Sequence, residues 1–141
     1  MACIVYRHVR ESGFSEKRVQ AIVAYALRRL KKTGDVSIHF IGEKRMKHLN
    51  TLHRGRGRPT DVLSFPAGND LISNEQHDIG DIFLCVPYIK KQARRFGVSY
   101  EEELSRMMIH GLLHCLGYDH GTKRDADVMF PLQESIVQKV L

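Results

Sequence analysis

The stretch from Leu104 to Leu116 constrains this chain most. It reads as a helix that is apolar on most faces, so it belongs at the centre of the fold, with other elements packed around it. Ser99-Tyr-Glu-Glu102 opens it with a capping-box pattern, in which Ser99 accepts from an orphan N–H and Glu102 reaches back. Glu101, Glu102 and Glu103 suit the positive end of the helix dipole. Within this buried helix stand two histidines, His110 and His114. Residues i and i+4 stack on one helix face about one turn apart, so both imidazoles can grip one ion. Gly117 can then end the helix in a left-handed conformation and turn the chain so that His120 reaches the same point. Three neutral nitrogen ligands and an open position are what a catalytic zinc site requires. One zinc ion per chain is the expected cofactor, with nickel, cobalt and iron left open.

The other segments supply the surroundings. Cys3 to Val9 is rich in β-formers and reads as a first strand. Ser15 is placed to N-cap a helix running to about Lys32, with Val19, Ile22, Val23, Ala26, Leu27 and Leu30 at helical spacing. Val36 to Ile41 alternates as a half-buried strand, and Lys44 to His53 reads as a basic helix with Met46, Leu49 and Leu52 inward. Two glycines and a proline make Arg54 to Pro59 a basic loop. Thr60 to Phe65 is a short strand, Pro66 to Asp78 a polar loop, Ile79 to Val86 a fourth strand, and Tyr88 to Phe96 a third helix. A last helix spans about Lys123 to Val140, with Val128, Met129, Leu132, Ile136 and Val137 inward. At 141 residues, with no internal repeat or linker, the expectation is a single domain over 1–141.

Composition narrows the class. No window approaches the roughly 18 apolar residues of a transmembrane helix, and the N-terminus lacks the basic flank and small-residue cleavage site of a leader. The expectation is a cytoplasmic protein with no membrane partner. Cys3, Cys85 and Cys115 are odd in number and scattered, which argues against a disulfide framework. Cys115 adjoins His114, but one helical step turns it roughly 100° from the histidine face, so it reads as a small buried hydrophobe. His8, His39, His48, His53 and His77 lack ligand spacing and read as surface or satisfied polar residues. A net charge of +6 suggests a polyanionic partner.

The histidine pattern overlaps the metzincin motif His-Glu-x-x-His-x-x-Gly-x-x-His, with one difference. Where the protease carries its glutamate base, this chain has Gly111. Three neutral ligands also leave a zinc's double charge uncancelled, which suits an anionic phosphodiester better than a neutral amide. The expectation is therefore a hydrolase acting on phosphodiester bonds rather than on peptides.

Several ordered motifs add a family resemblance. His110-Gly-x-Leu-His114-x-x-Gly-Tyr-Asp-His120, Arg54-Gly-x-x-x-Pro-Thr-Asp-Val-Leu-Ser-Phe65 and Gly80-Asp81-Ile, together with Leu49-Asn50, resemble the signature of the YbeY-type endoribonucleases. The resemblance covers nearly the whole chain. It implies an α+β fold, a small mixed four-stranded sheet with helices around a central buried metal-binding helix. It implies that His110, His114 and His120 bind a zinc-like ion and that Arg54 faces the metal cleft and matters for activity. It further implies metal-dependent single-strand endonuclease action in small-subunit rRNA processing, ribosome maturation and quality control. The implied partners are rRNA, the small ribosomal subunit and a ribosome-associated GTPase. The chain departs modestly at His53, at Cys115 and at Gly121-Thr-Lys-Arg, the last adding positive charge near the metal.

The expected machinery is then His114 with the metal, and Arg54 as a guanidinium able to pair two phosphate oxygens. Asp61, Ser64 and Asp81 are lesser candidates, each with an equally good capping or turn role. Two rival readings stand beside this one: a ribosome-assembly RNA-binding factor with a mainly structural metal, and a zinc metallopeptidase.

Overall fold

In a computed structural model describing residues 3–10, 12–68 and 78–141, the alternating segments pair into one four-stranded sheet. Its strands are β1 (Cys3–Arg7), β2 (Asp35–Ile41), β3 (Val62–Pro66) and β4 (Asp78–Cys85), in the order β1-β2-β4-β3. β1 and β4 both run parallel to β2, and β3 runs antiparallel to β4 at the edge. The parallel β1–β2 pair needs a crossover, which the helix α1 (Glu16–Arg29) provides. The sheet is mixed and the fold is α+β. The polar loop expected from Pro66 to Asp78, His77 included, falls largely on residues 69–77, outside the described residues.

Strand period sorts the side chains between two faces. Val36, Ile38, Phe40, Ile82 and Leu84 join α1, α4 (Tyr100–Cys115) and α5 (Lys123–Val140) in the main core. On the other face Ile41, Leu63 and Cys85 pack with Met46 of α2 (Glu43–Arg54). α3 (Val86–Phe96) leads from β4 toward α4 and buries Ile89 and Ala93. α4 buries Leu104, Met108, Ile109, Leu112 and Leu113, as a central helix must. Among the described residues no helix is long and apolar enough to cross a membrane.

Two tight approaches fix the sheet and its helix. A Cβ at Gly80, where φ is +143°, would stand 2.3 Å from the Phe65 carbonyl oxygen, so only glycine permits β3 to lie against β4 there. A Cβ at Gly111 would stand 2.8 Å from Ile82 Cγ2 and 3.3 Å from Val62 Cγ2. α4 thus crosses β3 and β4 at its glycine.

Several expectations need correction. α1 ends at Arg29, with Lys31 at φ 56°, three residues before the expected stop at Lys32. Arg54 closes α2 instead of opening the loop, and Gly55 takes the left-handed cap. Leu52 is exposed because it lies about 120° round the helix from Met46; Asn50, one turn on, takes the buried place. Val128 is likewise exposed, since the inward stripe of α5 centres on Met129, Gln133, Ile136 and Val137. Ser99 does accept from the Glu102 N–H, but the Glu102 carboxylate turns to Arg106 instead of completing a capping box.

Candidate active site

The face of α4 that carries Glu103, Met107, His110 and His114 looks into a cleft of about 670 Å³. β3 supplies the opposing wall with Val62 and Ser64, Asp61 precedes it, and α5 adds Phe130 and Gln133. Arg54, at the end of α2, and His120, past the α4 terminus, line the same cleft. Gly117, at φ +99°, makes the turn expected of it, beyond which His120 stands beside the other two imidazoles.

One ligand nitrogen from each of His110, His114 and His120 lies within 4.8 Å of the other two. A tetrahedral zinc with nitrogens at about 2.1 Å separates them by about 3.4 Å, which small side-chain rotations reach. His120 is exposed and free to make such a rotation. Burial holds the His110 and His114 imidazoles below their ordinary pKa, and each is lowered further by neighbouring histidines of the cluster. Neutral imidazole is the ligating form, so the residues present fit a divalent ion and could hold one. The Phe130 ring closes one side, 5.3 Å from His120 and 6.3 Å from His110 between centroids.

A polar network braces this wall. His110 Nδ1 lies 2.7 Å from Gln133 Oε1, and Gln133 Nε2 donates to Glu134 at 3.1 Å. Arg106 donates to Glu134 at 2.8 Å, to Glu103 at 2.8 Å and to Glu102 at 3.0 Å. The Arg106 guanidinium, helped by the Gln133 amide, holds the Glu134 carboxyl below its ordinary range. Glu103 is only 2% exposed, and its second oxygen accepts from Gln92 at 2.7 Å. Gln92 also donates to Asp61 at 3.2 Å.

The lesser candidates separate on this map. Asp61 lines the cleft, but one oxygen accepts from Val62 N–H at 2.7 Å and the other from Gln92, so it anchors the start of β3. Ser64 lines the cleft on the α4 side. Asp81 points to the opposite face of the sheet, where it meets His39 Nε2 at 2.9 Å. His39 itself stacks between Tyr6 and Phe83, a paired residue rather than a ligand. His53 packs on Phe65. Burial pushes the Cys115 thiol up to about 12, in keeping with a small hydrophobe.

Sequence reasoning missed Gln133, Glu103, Arg106 and Phe130. For the first two a signal existed, because each is a polar residue at helical spacing within an apolar stripe. For Phe130 none did, as its neighbour Pro131 obscures the period of α5.

The chain is similar to known proteins over nearly its whole length. The family model described as Endoribonuclease YbeY matches residues 7–141. A relative from Persephonella marina, named Endoribonuclease YbeY, is 35% identical over 139 residues, covering 97% of this chain and 91% of its own. One of the same name from Shouchella clausii is 42% identical, covering 77% and 74%. The solution structure of TM1509 from Thermotoga maritima superposes with a TM-score of 0.67 at 30% identity, covering 99% of this chain and 89% of that one.

Proposed function

The chain belongs to the Endoribonuclease YbeY family, and from that premise we propose that it is a zinc-dependent endoribonuclease cutting single-stranded RNA during small-subunit rRNA maturation. The observation that carries the reading is the convergence of His110, His114 and His120 in a cleft shared with Arg54. On this reading the protein acts in the cytoplasm as a single domain over 1–141, with the small ribosomal subunit and a ribosome-associated GTPase as partners.

The three imidazoles would hold one zinc ion, and when bound it supplies Lewis acidity toward a phosphoryl oxygen. His114 stands 4.7 Å from His110 and 5.1 Å from His120 between ring centroids, and its loss would take one of the three nitrogens from the ligand set. Arg54 presents a planar fork that can pair two phosphate oxygens and offset charge developing at phosphorus. Asn50 donates to the Arg58 carbonyl at 2.9 Å and so folds the basic loop that follows Arg54 back on the helix. Arg56 and Arg58 on that loop attract the RNA backbone without reading its bases. Asp61 and Gln92 hold the start of β3, and with it the wall opposite the histidines.

The peptidase alternative loses its physical basis at Gly111, where even a methyl group meets Ile82; a glutamate base has no room there. An RNA-binding factor with a structural metal remains the alternative to test. Wild-type, His114→Ala and Arg54→Ala proteins, zinc-loaded, are incubated with structured rRNA fragments and with casein. The proposal expects RNA cleavage by the wild type alone and intact casein throughout. Equal RNA cleavage by all three would sink it, while RNA bound but uncut by all three would favour the binding factor.

A further inference from the structure

We propose that Gln133 is a positioning residue that fixes His110 as its Nδ1–H tautomer, so that Nε2 offers its lone pair to the divalent ion of the site. The inference rests on the reading above that the triad holds such an ion.

The polarity of the network is set at its far end. Arg106 can only donate, and it places two nitrogens on Glu134, Nε at 2.9 Å and Nη2 at 2.8 Å. Glu134, paired in this way, is an acceptor only. It therefore takes the Gln133 amide by its Nε2 hydrogens, at 3.1 Å. That orientation turns Gln133 Oε1 to His110 Nδ1, at 2.7 Å. An amide oxygen accepts and does not donate, so Nδ1 must carry the proton, and in the neutral ring Nε2 then carries none.

The opposite arrangement would be useless for ligation. A flipped amide would set its oxygen against the Glu134 carboxylate and its NH2 against Nδ1, leaving the proton on Nε2. Repulsion between two oxygens about 3 Å apart disfavours it. Gln133 is 4% exposed, so water has little access to take over either bond. The partner of His110 is a neutral amide rather than a carboxylate, which fixes the tautomer without adding negative charge beside the ligands.

Two measurements without RNA test this on the full chain. Long-range proton–nitrogen NMR of the metal-free protein reads the His110 tautomer, and competition with a chromogenic chelator reads zinc affinity. The wild type is expected to be Nδ1–H. Gln133→Met, of similar shape but with no acceptor, is expected to admit the Nε2–H form and to lower zinc affinity about ten- to a hundredfold. Gln133→Glu combined with Glu134→Gln, which restores an acceptor for Nδ1 and keeps a donor–acceptor pair between the two side chains, is expected to keep the Nδ1–H form and recover the affinity lost in Gln133→Met. An Nε2–H wild type, or a folded Gln133→Met protein with unchanged tautomer and affinity, overturns the proposal. If Gln133→Met does not fold, the wild-type tautomer and the Gln133→Glu/Glu134→Gln protein decide it: that double variant in the Nε2–H form overturns it. A wild type that binds zinc in the Nδ1–H form yet leaves RNA uncut upholds the positioning role and contradicts the proposed activity. A wild type that binds no zinc overturns both.

Discussion

At Gly111 one added methyl group decides between two accounts of the same residue. Alanine in a helix interior gains about 1 kcal/mol over glycine in propensity. Here its Cβ would press on Ile82 and Val62 in a close-packed core, and overpacking of this kind costs about 1–3 kcal/mol. Gly111→Ala should therefore be destabilised by about 1 kcal/mol, read as a lower urea midpoint with an unchanged slope. A stabilised Gly111→Ala would mean that the helix is not seated on β3 and β4 as described. The sequence alone revealed that a glutamate base was missing; the reason, a helix crossing a sheet at its narrowest residue, needed the packing. The histidines add a dependence on pH. His110 and His114 are held below their ordinary value by burial, so the unfolded chain binds protons more readily than the folded one. The stability they contribute is present above the unfolded value of about 6.5 and is lost as pH falls through the lower folded values. Metal-free wild type should therefore lose more Tm between pH 7.5 and pH 5 than His114→Gln does, and equal losses would contradict the burial of His114 described above.

The elements carry the site through α4 and its brace to α5. Glu103 is buried and answers both Arg106 and Gln92, whereas Glu102 meets Arg106 nearer the surface. Removing Glu103 takes the acceptor from Arg106 Nη1 and from the buried Gln92 amide, while Arg106 keeps Glu134 and Glu102, so Glu103→Ala should cost about 2–3 kcal/mol. Glu102→Ala should cost about 1 kcal/mol, because Glu102 is only partly buried and Arg106 keeps its other two carboxylates. Equal losses on chemical denaturation would show that depth does not govern this network. The same elements show where pattern reading reaches its limit. α4 was legible because the stretch from Leu104 to Leu116 is apolar on most faces, which places it in the core, and Ser15 and Ser99 cap α1 and α4 where local sequence placed them. The inward faces of α2 and α5 were misjudged at Leu52 and Val128, because polar Asn50 and Gln133 occupy the buried positions for the sake of their hydrogen bonds. Tertiary demand overrode hydropathy there.

At the scale of the whole molecule, the four strands and five helices found among the described residues were legible in order, while the pairing of the strands was not. That β4 inserts between β2 and β3 depends on contacts far apart in sequence, and on the close approach at Gly80 that lets the edge strand in. The cleft exists because of this topology. Placing β3 at the edge brings Asp61 and Ser64 opposite the histidines, and it sends Asp81, one strand over and on the other face, away from them. The motif residues were visible in sequence, but which of them share a cavity was set by strand parity and sheet order. Arg54 and the triad meet from elements more than fifty residues apart, with a net charge of +6 to draw RNA toward them. The central claim is that this meeting point cuts RNA with one metal ion per chain. Zinc titrated into metal-stripped wild-type protein, with cleavage of a single-stranded rRNA fragment followed at each addition, tests it most directly. The account predicts that cleavage is absent without metal, saturates at about one zinc per chain, and never appears in His114→Ala. Undiminished cleavage by the stripped protein, or by His114→Ala, would contradict it.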